Sequence, residues 1–100
     1  MTLPREMACI EIGKTGSAEV LTATHRPVPI PGDNEVLIRV RAAGVNRPDV
    51  LQRQGRYPPP RGASDIPGLE VAGEIVSVGR NEANWQVGQS VCALLNGGGY

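Results

Sequence analysis

Apolar and polar residues alternate along much of this chain, and a period of two is the mark of half-buried strands. Ala8, Ile10 and Ile12 alternate with Cys9 and Glu11, which predicts a first strand over residues 8–12. Gly13, Lys14, Thr15, Gly16 and Ser17 form a turn, and a second strand follows over residues 19–23. Residues 25–32, with prolines at 27, 29 and 31, read as an extended connection with little hydrogen bonding of its own. Asp33 and Asn34 turn the chain into the strongest strand, where Val36, Ile38, Val40 and Ala42 face one way and Leu37, Arg39, Arg41 and Ala43 the other. The two arginines are most simply a solvated face. Residues 69–79 are rich in β-branched side chains and interrupted at Gly73, which predicts a strand with a bulge or a close backbone approach. Residues 80–86 form a loop carrying Trp85 as a lid on one end of the fold, and residues 90–95 form a last strand. Asn96, Gly97, Gly98 and Gly99 make a flexible turn, and Tyr100 stands where a further strand would begin.

One stretch breaks the strand pattern. After Val45 the sequence Asn46-Arg47-Pro48-Asp49-Val50-Leu51-Gln52-Arg53-Gln54-Gly55 predicts a two-turn helix. Asn46 is a good N-cap, because its side-chain oxygen can accept from a free N–H of the first turn. Asp49, three residues on, can reach back to the cap and complements the positive helix end. Val45 and Val50 occupy the positions of a hydrophobic staple. Pro48 falls in the first turn, where its missing N–H costs little, and Gly55 is a natural left-handed stop. Many short strands with turns and a single short helix argue a mainly β fold, a small β-barrel.

Composition narrows the class. A hundred residues make one small domain with a modest core. Formal net charge is zero, which gives no electrostatic argument for nucleic acid or an anionic membrane. The apolar runs are too short to span a bilayer, and the first twelve residues carry Arg5 and Glu11 without the apolar core of a signal peptide. A cytoplasmic protein is the expectation. Two cysteines, Cys9 and Cys92, are too few for a disulfide framework or a metal-binding quartet, and both read as small hydrophobes within strands. Phe is absent, so aliphatic side chains must build the core, and Trp85, Tyr57 and Tyr100 stand out. His25 is the sole histidine and cannot assemble a zinc site by itself. The Gly13–Ser17 turn has the flavour of a phosphate loop, but it lacks the required first glycine and a following helix.

Four strings taken together are specific. GVNRPD, RQGRYPPP, PGLEVAGEIVSVG and WQVGQSV resemble the N-terminal domain of the medium-chain dehydrogenase/reductase superfamily. The likeness is closest to its zinc-free branch, the zeta-crystallin-like quinone oxidoreductases, and it covers nearly the whole chain. The resemblance implies a GroES-like β-barrel over residues 1–100, the N-terminal catalytic domain of a two-domain reductase. Its pattern stops mid-barrel at Tyr100, so an excised part of a longer enzyme is expected. The Rossmann domain would lie elsewhere, since no G-x-G-x-x-G follows a strand here.

In the zinc-dependent members of that superfamily the position matching Asn46 is a cysteine ligand, and the position matching Leu69 is a histidine ligand in a G-H-E string. This chain reads Gly68-Leu69-Glu70. Neither an amide nor an aliphatic chain can replace thiolate or imidazole at zinc, and Glu70 cannot hold the ion alone. The resemblance therefore implies a metal-free reaction, hydride transfer from NADPH to a quinone or an activated enone, with a homodimer or homotetramer formed through the other domain. Asn46 would place its amide beside nicotinamide or substrate, and Tyr57 would offer its phenol to the developing oxyanion. Asp49, Leu69 and Glu70 would line the same cleft. Each has a plainer reading: Asn46 as a cap alone, Asp49 as its capping-box partner, Tyr57 as packing beside Pro58, Pro59 and Pro60, Leu69 as core, Glu70 as a buried partner for a basic residue. Three other functions compete. A co-chaperonin subunit shares the barrel but needs a long mobile loop where residues 13–17 make a short turn. A zinc alcohol dehydrogenase lacks its ligands here, and a non-catalytic crystallin-type protein would carry the same residues.

Overall fold

The computed structural model describes residues 3–100 and contains five strands and one α-helix. Strand β1 (Glu6–Ile12) pairs antiparallel with β2 (Leu21–Pro27) as a hairpin. Strands β3 (Val36–Ala43), β4 (Glu70–Val78) and β5 (Ser90–Leu94) form an antiparallel sheet in the order β3-β4-β5. Helix α1 (Arg47–Arg53) fills the crossing from β3 to the loop before β4. This is the expected mainly β fold with one short helix.

The second strand departs from expectation. Residues 18–20 make a single 3-10 turn, and β2 runs on through His25 and Arg26 to Pro27. Ser17 and Glu19 bond through their side chains, and the Val20 N–H donates to the Ser17 carbonyl, so local turn bonds claim residues that alternation assigned to a strand. His25 and Arg26 lie opposite Ala8 and Met7, and the Val28 N–H still donates to the Arg5 carbonyl at 3.0 Å, so the sparsely bonded connection expected from residue 25 begins only after Val28. The Val45–Val50 staple does not form either: Val45 is 79% exposed.

Two irregularities shape the β3–β4 pair. The register shifts between Leu37 and Ile38 and again between Val40 and Ala42. In the second shift Arg41 is the extra residue, so β3 cannot keep one alternation along its length. Gly73 faces Val40 there, and a methyl group on it would sit on the Arg39 carbonyl oxygen. The expected close approach is real; the bulge opposite Gly73 lies on β3, while β4 carries its own extra residue, Val76, at the first shift. Arg41 pairs with Glu74 at 2.8 Å on the exposed face, as an arginine on a solvated face should.

The core is small. Cys9, Ile66, Val71 and Ile75 are its buried apolar residues, beside the fully buried Pro67. Between hairpin and sheet lies an apolar cavity of about 450 Å³ lined by residues including Met7, Cys9, Leu37, Val76 and Tyr100. Cys9 behaves as the expected small hydrophobe, but Cys92 is exposed on the outer face of β5 beside Leu94, which is 86% exposed. Trp85 is 47% exposed.

With the layers loosely filled, polar links tie the hairpin to the rest. Arg26 bonds Glu11 across the hairpin and reaches Asp65 in the loop before β4 at 2.7 Å. The Arg26 hydrogen bond holds the Asp65 carboxyl below its ordinary value of 3.8. A carboxylate depressed in the folded state stabilises fully above its unfolded value and loses that contribution as pH falls through the folded one. We therefore expect the melting temperature to fall more steeply below about pH 4 in the parent than in Arg26→Gln, with the difference shrinking in high salt. Parallel acid limbs in thermal melts of the two proteins would contradict the link.

Candidate functional site

The site grows from the exit of β3. Asn46 caps α1, and Asn46 and Asp49 form the anticipated capping box. Asp49 Oδ2 accepts from the Asn46 backbone N–H at 2.9 Å. The helix turns its polar side inward, for Asp49 is 6% exposed and Gln52 8%. Two more bonds explain that burial. Asp49 Oδ1 accepts from the Gly68 N–H at 3.2 Å, and Gln52 Nε2 donates to the Asp65 carbonyl at 2.9 Å. The helix is thus sewn to the loop that leads into β4, and the buried side chains of Asp49 and Gln52 are matched, whereas Arg53 Nε at the helix end is buried without a partner.

Gly44 is the meeting point of two predicted residues. A Cβ built on it would lie 3.4 Å from Asn46 Nδ2 and 2.9 Å from Glu70 Cδ. The space a side chain would fill at Gly44 is taken by the Glu70 carboxylate, with the Asn46 amide beside it. The Gly44 N–H donates to the Glu70 carbonyl at 3.0 Å, which extends the β3–β4 pairing to the site. Leu69, between Gly68 and Glu70, is half-buried, and its carbonyl accepts from the Leu95 N–H at 2.7 Å.

Beyond Glu70 the outer sheet face forms a shallow apolar depression, floored by Ala42, Ala72, Cys92 and Leu94 and bordered by Gly44 and Glu70. Small side chains there leave room for a flat ring.

The structure therefore brings Asn46, Asp49 and Glu70 together and sets Leu69 in the adjoining turn. Tyr57 stands apart. It is half-buried beyond the helix, and its phenol makes no hydrogen bond among the described residues. Sequence reasoning missed Tyr100, whose hydroxyl lies 2.8 Å from both the Gly44 carbonyl and Asp49 Oδ2. Burial, then the Asp49 bond, then the charges of Asp49 and Glu70 push its phenol up to about 12. Scarcity of aromatics was the only signal pointing to it. On its backbone, Tyr100 donates its N–H to the Pro67 carbonyl at 2.9 Å and accepts from the Ile10 N–H at 3.2 Å.

The donor set does not suit zinc. Asn46 and Leu69 offer an amide and an aliphatic chain, and among the described residues no three of His, Cys, Asp and Glu gather as metal ligands.

Comparison with known proteins agrees with this architecture. Residues 32–99 match the alcohol dehydrogenase GroES-like domain. Quinone oxidoreductase of Sus scrofa is 36% identical over 96 residues, covering 94% of this chain and 29% of that protein. The crystal structure of Escherichia coli quinone oxidoreductase complexed with NADPH superposes with a TM-score of 0.76 at 35% identity, covering 88% of this chain and 27% of that one. The human synaptic vesicle membrane protein VAT-1 homolog-like protein superposes with a TM-score of 0.82 at 31% identity, over 91% of this chain and 29% of that one. The chain spans less than a third of the length of these relatives. No helix among the described residues is long and apolar enough to cross a membrane. With a matching backbone, related sequences and a domain match over most of its length, the chain belongs to the alcohol dehydrogenase GroES-like domain family, among the quinone-oxidoreductase relatives in the medium-chain dehydrogenase/reductase superfamily.

Proposed function

We propose that this chain is the substrate-side domain, residues 1–100, of a cytoplasmic NADPH-dependent oxidoreductase that reduces a quinone or an activated enone without a metal. The observation that carries the reading is the meeting of the Asn46 amide with the Glu70 carboxylate at Gly44, at the border of an alanine-floored apolar face. The similarity to quinone oxidoreductases supports it over a co-chaperonin subunit.

NADPH, when bound, supplies the hydride. The Asn46 amide carries both a donor and an acceptor and suits a planar carboxamide or a quinone carbonyl. Asp49, with its oxygens already engaged, holds the Asn46 backbone and so keeps the amide in place. Tyr57 retains a free phenolic proton to donate to the oxygen on which negative charge develops. A quinone or conjugated enone is already an electron sink, so alignment and hydrogen bonds suffice without a Lewis acid. Dinucleotide binding is assigned to residues outside this chain, because no glycine fingerprint follows a strand within it. Assembly as a homodimer or homotetramer through that other region completes the reading.

The decisive experiment follows NADPH oxidation by the full-length enzyme with a quinone acceptor. Turnover should be indifferent to chelators. Asn46→Ala and Tyr57→Phe should each lower kcat by about ten- to a thousandfold, the range for loss of one oriented donor. Activity abolished by a chelator and restored by zinc would overturn the proposal.

A further inference from the structure

Three segments far apart in sequence converge on one phenol. Tyr100 is anchored on both sides of its backbone, by Pro67 and by Ile10, so its ring has little freedom to wander. The ring lies against Gly68: a Cβ there would be 2.8 Å from Tyr100 Cδ1, and Gly68 has a φ of +107°, which also favours glycine. The hydroxyl is then placed 2.8 Å from the Gly44 carbonyl and 2.8 Å from Asp49 Oδ2. One phenolic proton serves two acceptors. Asp49 itself binds the Asn46 and Gly68 N–H groups.

We propose that Tyr100 is a positioning residue of this cleft: by bonding Gly44 and Asp49 together, its hydroxyl fixes the Asn46 amide relative to the Gly68–Glu70 turn. The link to turnover rests on the reductase reading above; the mechanical claim does not. A phenylalanine would fill the same volume, so packing alone does not require the hydroxyl. That hydroxyl engages Gly44 and Asp49, which flank Asn46 and are themselves bonded to Glu70 and Gly68. The charged groups facing it, Asp49 and Glu70, are both acidic, and they favour the neutral phenol that can donate.

The test has three arms. In the unaltered chain, ultraviolet titration should show one high tyrosine transition, at about 12. The higher transition should vanish in Tyr100→Phe and move down in Asp49→Asn. Amide exchange in Tyr100→Phe should quicken about tenfold at Gly68 and Asn46, the loss expected from one hydrogen bond, while Cys9 and Ile75 keep their rates. In the full-length enzyme the same variant should lower kcat about tenfold with KM nearly unchanged. The absence of a transition that high, or exchange quickened uniformly across the chain, would overturn the proposal. So would unchanged kcat in an enzyme that does reduce quinones. If the parent reduces no quinone, the reductase reading fails, and titration and exchange alone decide the mechanical claim. Should Tyr100→Phe not fold, the titration of the parent still decides.

Discussion

Asp49→Ala should leave the domain unfolded or close to it at neutral pH. The carboxylate is 6% exposed and accepts from the Asn46 N–H, the Gly68 N–H and the Tyr100 hydroxyl. Alanine removes all three acceptor contacts and supplies none, and solvent reaches the site poorly. A buried donor left without an acceptor costs about 1–3 kcal/mol, and with two N–H groups orphaned while the Tyr100 hydroxyl keeps the Gly44 carbonyl the total is about 2–6 kcal/mol. A domain of this size holds about 5–15 kcal/mol altogether. Asp49→Asn retains shape and one carbonyl oxygen but turns an NH2 toward at least one donor, and should cost about 1–3 kcal/mol. Urea unfolding of the three proteins checks the ranking. An alanine variant within about 1 kcal/mol of the parent would mean that the carboxylate is not the knot described here.

What could be read from the sequence follows the range of each interaction. The capping box was legible because Asn46 and Asp49 are three residues apart and need nothing else. Gly73 was legible because a glycine inside a β-branched run gives up side-chain packing, which a sheet tolerates best where another backbone comes close. That the extra residues are Arg41 on β3 and Val76 on β4, rather than Gly73 itself, is a detail of pairing that no local pattern encodes. The start and end of β2 were misjudged for a similar reason. Alternation ran through Glu19, while the turn bonds of Ser17 and the pairing of Arg26 with Met7 decided where the strand lies. Of the site, the meeting of Asn46 with Glu70 was expected only through the resemblance, not through any spacing. Tyr100 was invisible because its partners, Gly44 and Asp49, lie 56 and 51 residues upstream. Three glycines before it read as looseness, whereas Gly98 and Gly99 bond to Ile66 and Gly68 and deliver the ring to its place.

Gly73→Ala should be the most damaging single-methyl change in the sheet. The residue has no positive φ, so backbone strain is not the reason. The added carbon would fall on the Arg39 carbonyl oxygen, within 2.9 Å of the Arg39 carbonyl carbon and 3.0 Å of Ile38 Cγ2. Two of these three atoms are backbone in a paired strand, so relief requires β3 and β4 to separate. Overpacking of this kind costs about 3 kcal/mol or more. Gly13→Ala is the matched control, since nothing lies within 4 Å of its would-be Cβ, and it should stay within about 0.5 kcal/mol of the parent. The same separation reaches the site, because the ladder that Gly73 belongs to continues through Ala43 opposite Val71 to the Gly44–Glu70 bond. Pulling the strands apart at Gly73 pulls Asn46 away from Glu70. In the full-length enzyme, the folded fraction of Gly73→Ala should therefore turn over more slowly than the parent, beyond the loss explained by unfolding. A variant that melts with the parent would show that β3 and β4 do not approach as closely as this register requires.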